Sequence, residues 1–190
     1  MSEILPVLRK YSRSGIIVRV IVVLVVVMVL IPVFVTPTAN VEKATRVTSL
    51  ATAVALESSI NSIYTEYGKL PDVGSRVTTN SPKGLKLLNI LLGLDAKSDD
   101  ALNSRVIKFL AVKEGKNNKN GLIEAVDGKS VAGLYDSWGN PYTVELDADY
   151  NEELHFTVAS KAVDLKGRRT AVYSPGPDKT LGTADDIKTW

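Results

Sequence analysis

The sequence has no cysteine among its 190 residues, a single histidine, two tryptophans and three phenylalanines. Without cysteine there is no disulfide, no thiolate nucleophile and no thiolate metal site. If the chain works outside the cytoplasm, something else must staple its weakly packed parts. The one histidine, His155, sits between Leu154 and Phe156 in a strand-like segment, where it reads as a strand residue rather than a base. No Ser/His/Asp order, zinc motif or phosphate-binding glycine loop is present. The chain is therefore not expected to be an enzyme. It also lacks an excess of either charge, with 23 basic against 21 acidic residues. Three of the basic residues (Arg9, Lys10, Arg13) and one acidic residue (Glu3) fall in the first fifteen positions, which leaves 20 of each beyond them. No bulk signal for a nucleic acid or another polyanion remains.

What the chain does have is one long apolar run. Residues 16–35 read IIVRVIVVLVVVMVLIPVFV, with Arg19 as the only charge. A helix of about twenty residues rises about 30 Å, the thickness of one bilayer core. Arg19 lies near one end, where it can snorkel to the headgroups. With Arg9, Lys10 and Arg13 before the run, the positive-inside rule predicts a cytoplasmic N-terminus and an outward-facing remainder. The run is longer than the apolar core of a cleaved secretory signal and has no A-x-A-like end. The expected divisions are a basic leader at 1–15, a single membrane span at 16–37 and an extracytoplasmic domain at 38–190.

From Ala39 to Tyr67 the pattern is helical. Leu56, Ile60, Ile63 and Tyr67 follow 4-3-4 spacing, and Val47, Leu50 and Val54 form a similar stripe above them. Both stripes are expected to pack on a small sheet. Gly68 suits the C-cap and Pro71 follows it. Ser81-Pro82 suits the start of a second helix with GLKLLNILLGL as its body. Residues 95–120 are polar apart from VIKFLAV, and KEGKNNKNG reads as an exposed loop, either solvated or touching an anionic glycan or lipid. PYTVELD, LHFTVAS and TAVYS read as strands, with Lys166-Gly167 as a hairpin tip. The order of helices followed by antiparallel strands predicts an α+β domain.

Two constellations stand out. In DSWGNPY (136–142), Trp138 reads as an anchor of a turn to the core, with ligand stacking as the alternative. In YSPGPDKTLGTADDIKTW (173–190), Asp178, Asp185 and Asp186 fall within nine residues, separated by small and turn-forming groups. Calcium takes six to eight oxygen ligands, and such a loop can wrap it. The spacing does not fit an EF-hand. By spacing alone, calcium and a solvated acidic tail both stand.

A basic leader ending at Gly15, an apolar helix from Ile16, a proline at Pro37 and the ordered pieces VALESSINSIYTEYGKLP, DSWGNPY and YSPGPDKTLGTADDIKTW together resemble the type IV pilin-like family. Within it, the resemblance is to the major pseudopilin of type II secretion systems. It covers both ends of the extracytoplasmic part and not residues 75–130. It implies a pilin-like fold, a long N-terminal helix packed on a small antiparallel sheet with a C-terminal calcium loop. It implies cleavage between Gly15 and Ile16 by a prepilin peptidase, with methylation of the new N-terminus. Ca2+ would be held by Asp178, Asp185 and Asp186, with backbone carbonyls near Pro175 and Thr180, while Ile187 and Trp190 pack the loop end down. The implied partners are other pilin-like subunits in a filament and an inner-membrane assembly machinery. The implied location is the inner membrane, with the head in the periplasm or outside the cell. Ile16 and Val20 stand where the family usually has phenylalanine and glutamate. That departure keeps three readings in view: a specialised secretion subunit, a type IV pilus subunit and a non-assembling, membrane-anchored binding protein.

Overall fold

The computed structural model describes residues 18–25, 37–95, 101–125 and 130–190. The chain divides into two units, Met1–Lys43 and Ala44–Trp190. In the first, residues 18–25 are helical (α1) and exposed. The expected leader 1–15, the cleavage pair Gly15 and Ile16, and most of the expected span 16–37 lie outside the described residues. Among the described residues no helix is long and apolar enough to cross a membrane.

Helix α2 runs Pro37–Tyr67, 31 residues, with proline at the first helical position where no N–H is needed. Gly68 ends it at φ +66, donating its N–H to Tyr64 O at 2.8 Å. Helix α3, Pro82–Leu92, starts as its sequence predicts and ends at Gly93, inside the expected body GLKLLNILLGL. Ser81 Oγ accepts from Gly84 N at 3.1 Å, Pro82 occupies the first turn, and Gly93 turns left-handed at φ +72.

The strands are β1 (Arg76–Thr78), β2 (Gly121–Glu124), β3 (Val131–Tyr135), β4 (Thr143–Leu146), β5 (Glu153–Val158), β6 (Lys161–Lys166), β7 (Thr170–Ser174) and β8 (Ile187–Lys188). Four of them form an antiparallel sheet in the order β1-β4-β7-β8. The pairs β2–β3 and β5–β6 are separate antiparallel ribbons. The fold is α+β. Its core joins Ala53, Leu56, Ile60 and Ile63 of α2, Leu87, Leu88 and Leu91 of α3, and Val77, Val144, Val172 and Ile187 of the sheet.

Two expectations are corrected. The Leu56–Ile60–Ile63 stripe is buried, but Val47, Leu50 and Val54 are 60%, 39% and 49% exposed. At 100° per residue, Val54 stands about 160° around the helix from Leu56, so the two stripes cannot share a face. The buried side of α2's upper part is instead Ser49, Thr52 and Ala53. The second correction is the hairpin tip. The turn joining β5 to β6 is Ala159-Ser160, both at positive φ (44° and 69°), as a two-residue hairpin turn requires. Gly167, at φ +69, lies instead between β6 and β7, which belong to different sheets.

The C-terminal loop as candidate functional site

Strand β7 is buried along its whole length and delivers the chain to Ser174. The loop 175–186 leaves the sheet there and returns as β8, which pairs Tyr173 with Lys188 and Ser174 with Ile187. The excursion is therefore closed at its base by backbone hydrogen bonds. Gly176 sits at φ +71, and a Cβ there would drive into the carbonyl oxygen of Asp185. The two limbs of the loop approach each other at that glycine because it has no side chain.

Long-range contacts hold the loop. The Arg46 guanidinium, on α2, donates to three consecutive carbonyls: Ala184 O at 3.2 Å, Asp185 O at 3.0 Å and Asp186 O at 3.1 Å. From the other side, Asn140 Nδ2 donates to Gly176 O at 2.7 Å and to Asp136 Oδ2 at 2.9 Å. Asp136 is fully buried and acts as a hub. Its Oδ1 accepts from Trp138 N at 2.9 Å and Asn140 N at 2.8 Å, and its Oδ2 also accepts from Ser174 Oγ at 3.0 Å. The DSWGNPY turn is thus organised by its first aspartate and tied to the C-terminal loop. Tyr142, the last residue of that turn, donates its hydroxyl to Ser49 O at 2.9 Å. Burial, with the nearby charge of Asp136, pushes that hydroxyl far above its ordinary range.

The chain end is packed as well. Ile187 lies in the core. Trp190 meets Phe156 and Tyr173 edge-on, with ring centroids at 5.3 and 5.6 Å, while Phe156 and Tyr173 stack on each other. Thr189 O accepts from Arg168 Nη1 at 2.9 Å, and the same nitrogen reaches Glu57 of α2 at 3.2 Å.

The three aspartates do not all converge. Asp178 and Asp185 do, with Asp178 N donating to Asp185 Oδ2 at 3.3 Å. Thr183 Oγ1 donates to Asp185 Oδ1, and this bond, followed by those from Asp178 and the local backbone, holds the Asp185 carboxyl below its ordinary pKa. Asp178 Oδ1 accepts from Thr180 N at 2.8 Å. Asp186 is 7% exposed and turned toward Gly182, whose N–H it accepts through Oδ2 at 2.9 Å. Its Oδ1 is buried with no hydrogen-bond partner within the protein. Among the described residues no group of three or more His, Cys, Asp or Glu side chains is arranged to hold a metal ion. Pro175 is half-buried at the loop entry, and Thr180 O accepts from Thr183 Oγ1 at 3.3 Å.

The other candidates separate cleanly. Trp138 is half-buried and packs against the core, as an anchor does. His155 is exposed on β5, 2.7 Å from Asp164 and 3.1 Å from Glu153. Those two carboxylates raise its pKa, Asp164 more than Glu153. Sequence reasoning missed Arg46, Asp136 and Asn140. Arg46 contacts residues nearly 140 positions away, which no local pattern reveals. Asp136 and Asn140 carried a signal, since an aspartate opening a turn caps backbone N–H groups.

No protein-family model matches this chain, and neither a curated protein nor a solved structure matches it.

Proposed function

We propose that the chain is a structural, pilin-like subunit: a pseudopilin of a type II secretion-like filament, anchored in the inner membrane by residues 16–37, with its head outside the cytoplasm. The observation that carries this reading is the exposed ridge of Val47, Leu50 and Val54 on α2, opposite the face that packs on the sheet. Three branched aliphatic side chains on one exposed helix face gain about 25 cal/mol per Å2 when covered, and a neighbouring subunit's helix would cover them. The ordered motifs of the sequence point the same way.

A calcium ion belongs to this proposal as a reinforcement of the loop tip. Asp178 and Asp185 would hold it, with carbonyls near Pro175 and Thr180. The fit is partial at all three, because Asp185 accepts from Thr183 and Asp178 N through its two oxygens, Asp178 Oδ1 accepts from Thr180 N, and Asp186 Oδ2 is taken by Gly182 N–H. The orphaned Oδ1 of Asp186 is nevertheless the kind of buried oxygen a cation relieves. The ion would supply local cross-linking by carboxylates in a chain without cysteine.

Val54→Arg tests the reading. Val54 is exposed, so the stability of the head should stay within about 0.5 kcal/mol of the parent. Filament formation in cells, seen by electron microscopy and by cross-linking, should be lost. Filaments of normal yield would remove the ridge as the assembly surface. The second reading, a non-assembling anchored protein, rests on Val20 and Ile16. It takes the lead if the mature chain, sequenced from its membrane, still carries Met1 or Ser2 rather than beginning at Ile16.

A further inference from the structure

We propose that the open edge of β5 is a docking site for an extended, basic segment of polypeptide, which adds to β5 as a further antiparallel strand. The site lies within the unit Ala44–Trp190 and stands apart from the filament reading above.

The register of the β5–β6 ribbon shows which backbone groups are free. Val158 and Lys161 flank the two-residue turn, so they form a hydrogen-bonded pair, and bonded and non-bonded pairs then alternate along the ribbon. The pairs Thr157–Ala162, His155–Asp164 and Glu153–Lys166 fall on non-bonded positions. The N–H and C=O of Glu153, His155 and Thr157 therefore point away from β6. Two of these groups are met: Glu153 N donates to Asn151 Oδ1 at 2.8 Å, and Thr157 O accepts from Arg76 Nη2 at 3.1 Å. Among the described residues nothing meets the N–H or carbonyl of His155, the carbonyl of Glu153 or the N–H of Thr157. An unpaired strand edge is a template for another chain.

A cavity of about 610 Å3, within the size range of ligand sites, runs along this edge. Glu153, Leu154, His155 and Phe156 all line it. Successive side chains of a strand point to opposite faces, so four residues in a row share one cavity only along the strand's edge. The facing wall is Arg76 and Glu145, partners across β1 and β4. The bond from Arg76 to Thr157 O closes one end, and Asp149, on the turn that leads into β5, stands at the other.

The lining selects a basic ligand. It carries three carboxylates, Glu145, Asp149 and Glu153, against one guanidinium, Arg76, and the imidazole of His155. Arg76 is paired with Glu145. His155 is paired with Asp164 and with Glu153, which Lys166 also approaches at 3.7 Å. Among the described residues Asp149 meets the neutral Asn151 amide, at 2.9 Å, and no cation. A strand laid along β5 presents its side chains alternately to the two faces of the ribbon. One set shares the face of Glu153 and His155, where lysine or arginine meets the carboxylates. The other set shares the face of Leu154 and Phe156, where apolar side chains suit. The edge thus reads an alternation of basic and apolar residues, with backbone bonds giving affinity and opposite charges giving the choice.

The test uses the full chain in non-ionic detergent, isotope-labelled for NMR, and the acetylated probe peptide Lys-Val-Lys-Val-Lys-Val-Lys. In an antiparallel bonded pair, opposite residues share a face, so the lysine N–H groups of the probe turn toward β5. The expected result is saturable binding, with the largest shifts at the His155 and Thr157 amides. The probe methylated on its valine backbone nitrogens should bind about as well. The probe methylated on its lysine backbone nitrogens should bind about ten-fold more weakly, the factor for one or two lost hydrogen bonds. The probe with glutamate in place of lysine should bind at least as weakly. His155→Pro removes an outward N–H without touching a bond to β6, and should weaken the unmodified probe about ten-fold. Asp149→Lys with Glu153→Lys should weaken it similarly, and the two methylated probes still decide if His155→Pro does not fold. Equal binding of the two methylated probes means that charge alone holds the peptide, and overturns strand addition. No saturable binding overturns the site. Self-association that shifts β6 as well as β5 and excludes the probe makes β6 of a second copy the occupant, and also overturns it.

Discussion

Replacing Asp136 should release the C-terminal loop from the rest of the head. Its carboxylate is fully buried and accepts four hydrogen bonds: two from backbone N–H groups of its own turn, one from the Asn140 amide and one from Ser174. Asp136→Ala strands all four donors. At about 1.5 kcal/mol for each bond to a charged acceptor, the loss is about 6 kcal/mol, similar to the whole stability of many domains. Water entering the space left by the carboxylate brings the expected figure to about 4 kcal/mol. Asp136→Asn keeps an acceptor for the two backbone N–H groups and turns a donor toward Asn140, for a loss of about 2 kcal/mol. Thermal unfolding of residues 44–190 by circular dichroism should then show a drop of roughly 4–8 °C for Asp136→Asn and at least twice that for Asp136→Ala. Asn140→Ala should be non-additive with Asp136→Asn, because the two share one bond. If Asp136→Ala unfolds within about 1 kcal/mol of the parent, Asp136 is not the hub and the turn is held by Trp138 alone.

His155 is the only imidazole, so its proton resonance reports one group. Asp164 and Glu153 raise its folded pKa. The stabilisation they give is therefore complete below the unfolded value of about 6.5 and is lost as pH rises through the higher folded value. An NMR titration should show a midpoint above about 6.5, and Asp164→Asn should bring it down; a midpoint that ignores this substitution refutes the pairing. Gly176→Ala adds a left-handed alanine and a collision with the Asp185 backbone, for an expected cost above about 2 kcal/mol. Gly167→Ala, with open space around it at a similar φ of +69, should cost only about 1 kcal/mol, and equal costs would remove the role given to the Gly176–Asp185 approach.

The parts of the fold that were legible in the sequence are those set by neighbours in the chain. Ser81-Pro82 opens α3 because capping is local chemistry, while the Gly93 cap lay inside the stretch read as the helix body. PYTVELD and TAVYS contain β4 and β7, and LHFTVAS covers all of β5 but Glu153 before running on into the Ala159-Ser160 turn, because alternation and β-branching survive in them. Strand β6, KAVDLK, escaped because its outward positions carry Asp164 and Lys166, Lys161 breaks the apolar face of Val163 and Leu165, and the ribbon it makes with β5 is largely exposed. The turn before it, Ala159-Ser160, has neither Gly nor Asn to mark it. The error on α2 had a different origin. Val47, Leu50 and Val54 have the right spacing for a helix face, but spacing without phase does not say which face. Their angle to Leu56 was computable from the sequence and would have placed them outside the core.

The loop shows the same division and sets the limit on what calcium can do. The aspartates, Ile187 and Trp190 were visible as a pattern. The groups that hold them, Arg46 and Asn140, were not, because they come from elements far away in sequence. Those groups already fix the base of the loop: three carbonyls on Arg46, Gly176 O on Asn140, β8 on β7 and Trp190 against two rings. A cation would therefore act at the tip, where Asp178 and Asp185 meet; Asp186, with its unpaired oxygen, is turned aside toward Gly182. At a free concentration one hundred times its dissociation constant, a bound ion adds about 2.7 kcal/mol. Chelation should lower the thermal midpoint of residues 44–190 by roughly 5–11 °C. At 25 °C the Trp190 fluorescence should stay native, because its packing does not depend on the tip. Replacing Asp185 and Asp186 together by alanine should remove the calcium dependence. A midpoint that chelation leaves unchanged refutes the ion, and a Trp190 signal lost on chelation refutes the division of the loop into a base that stands alone and a tip that does not.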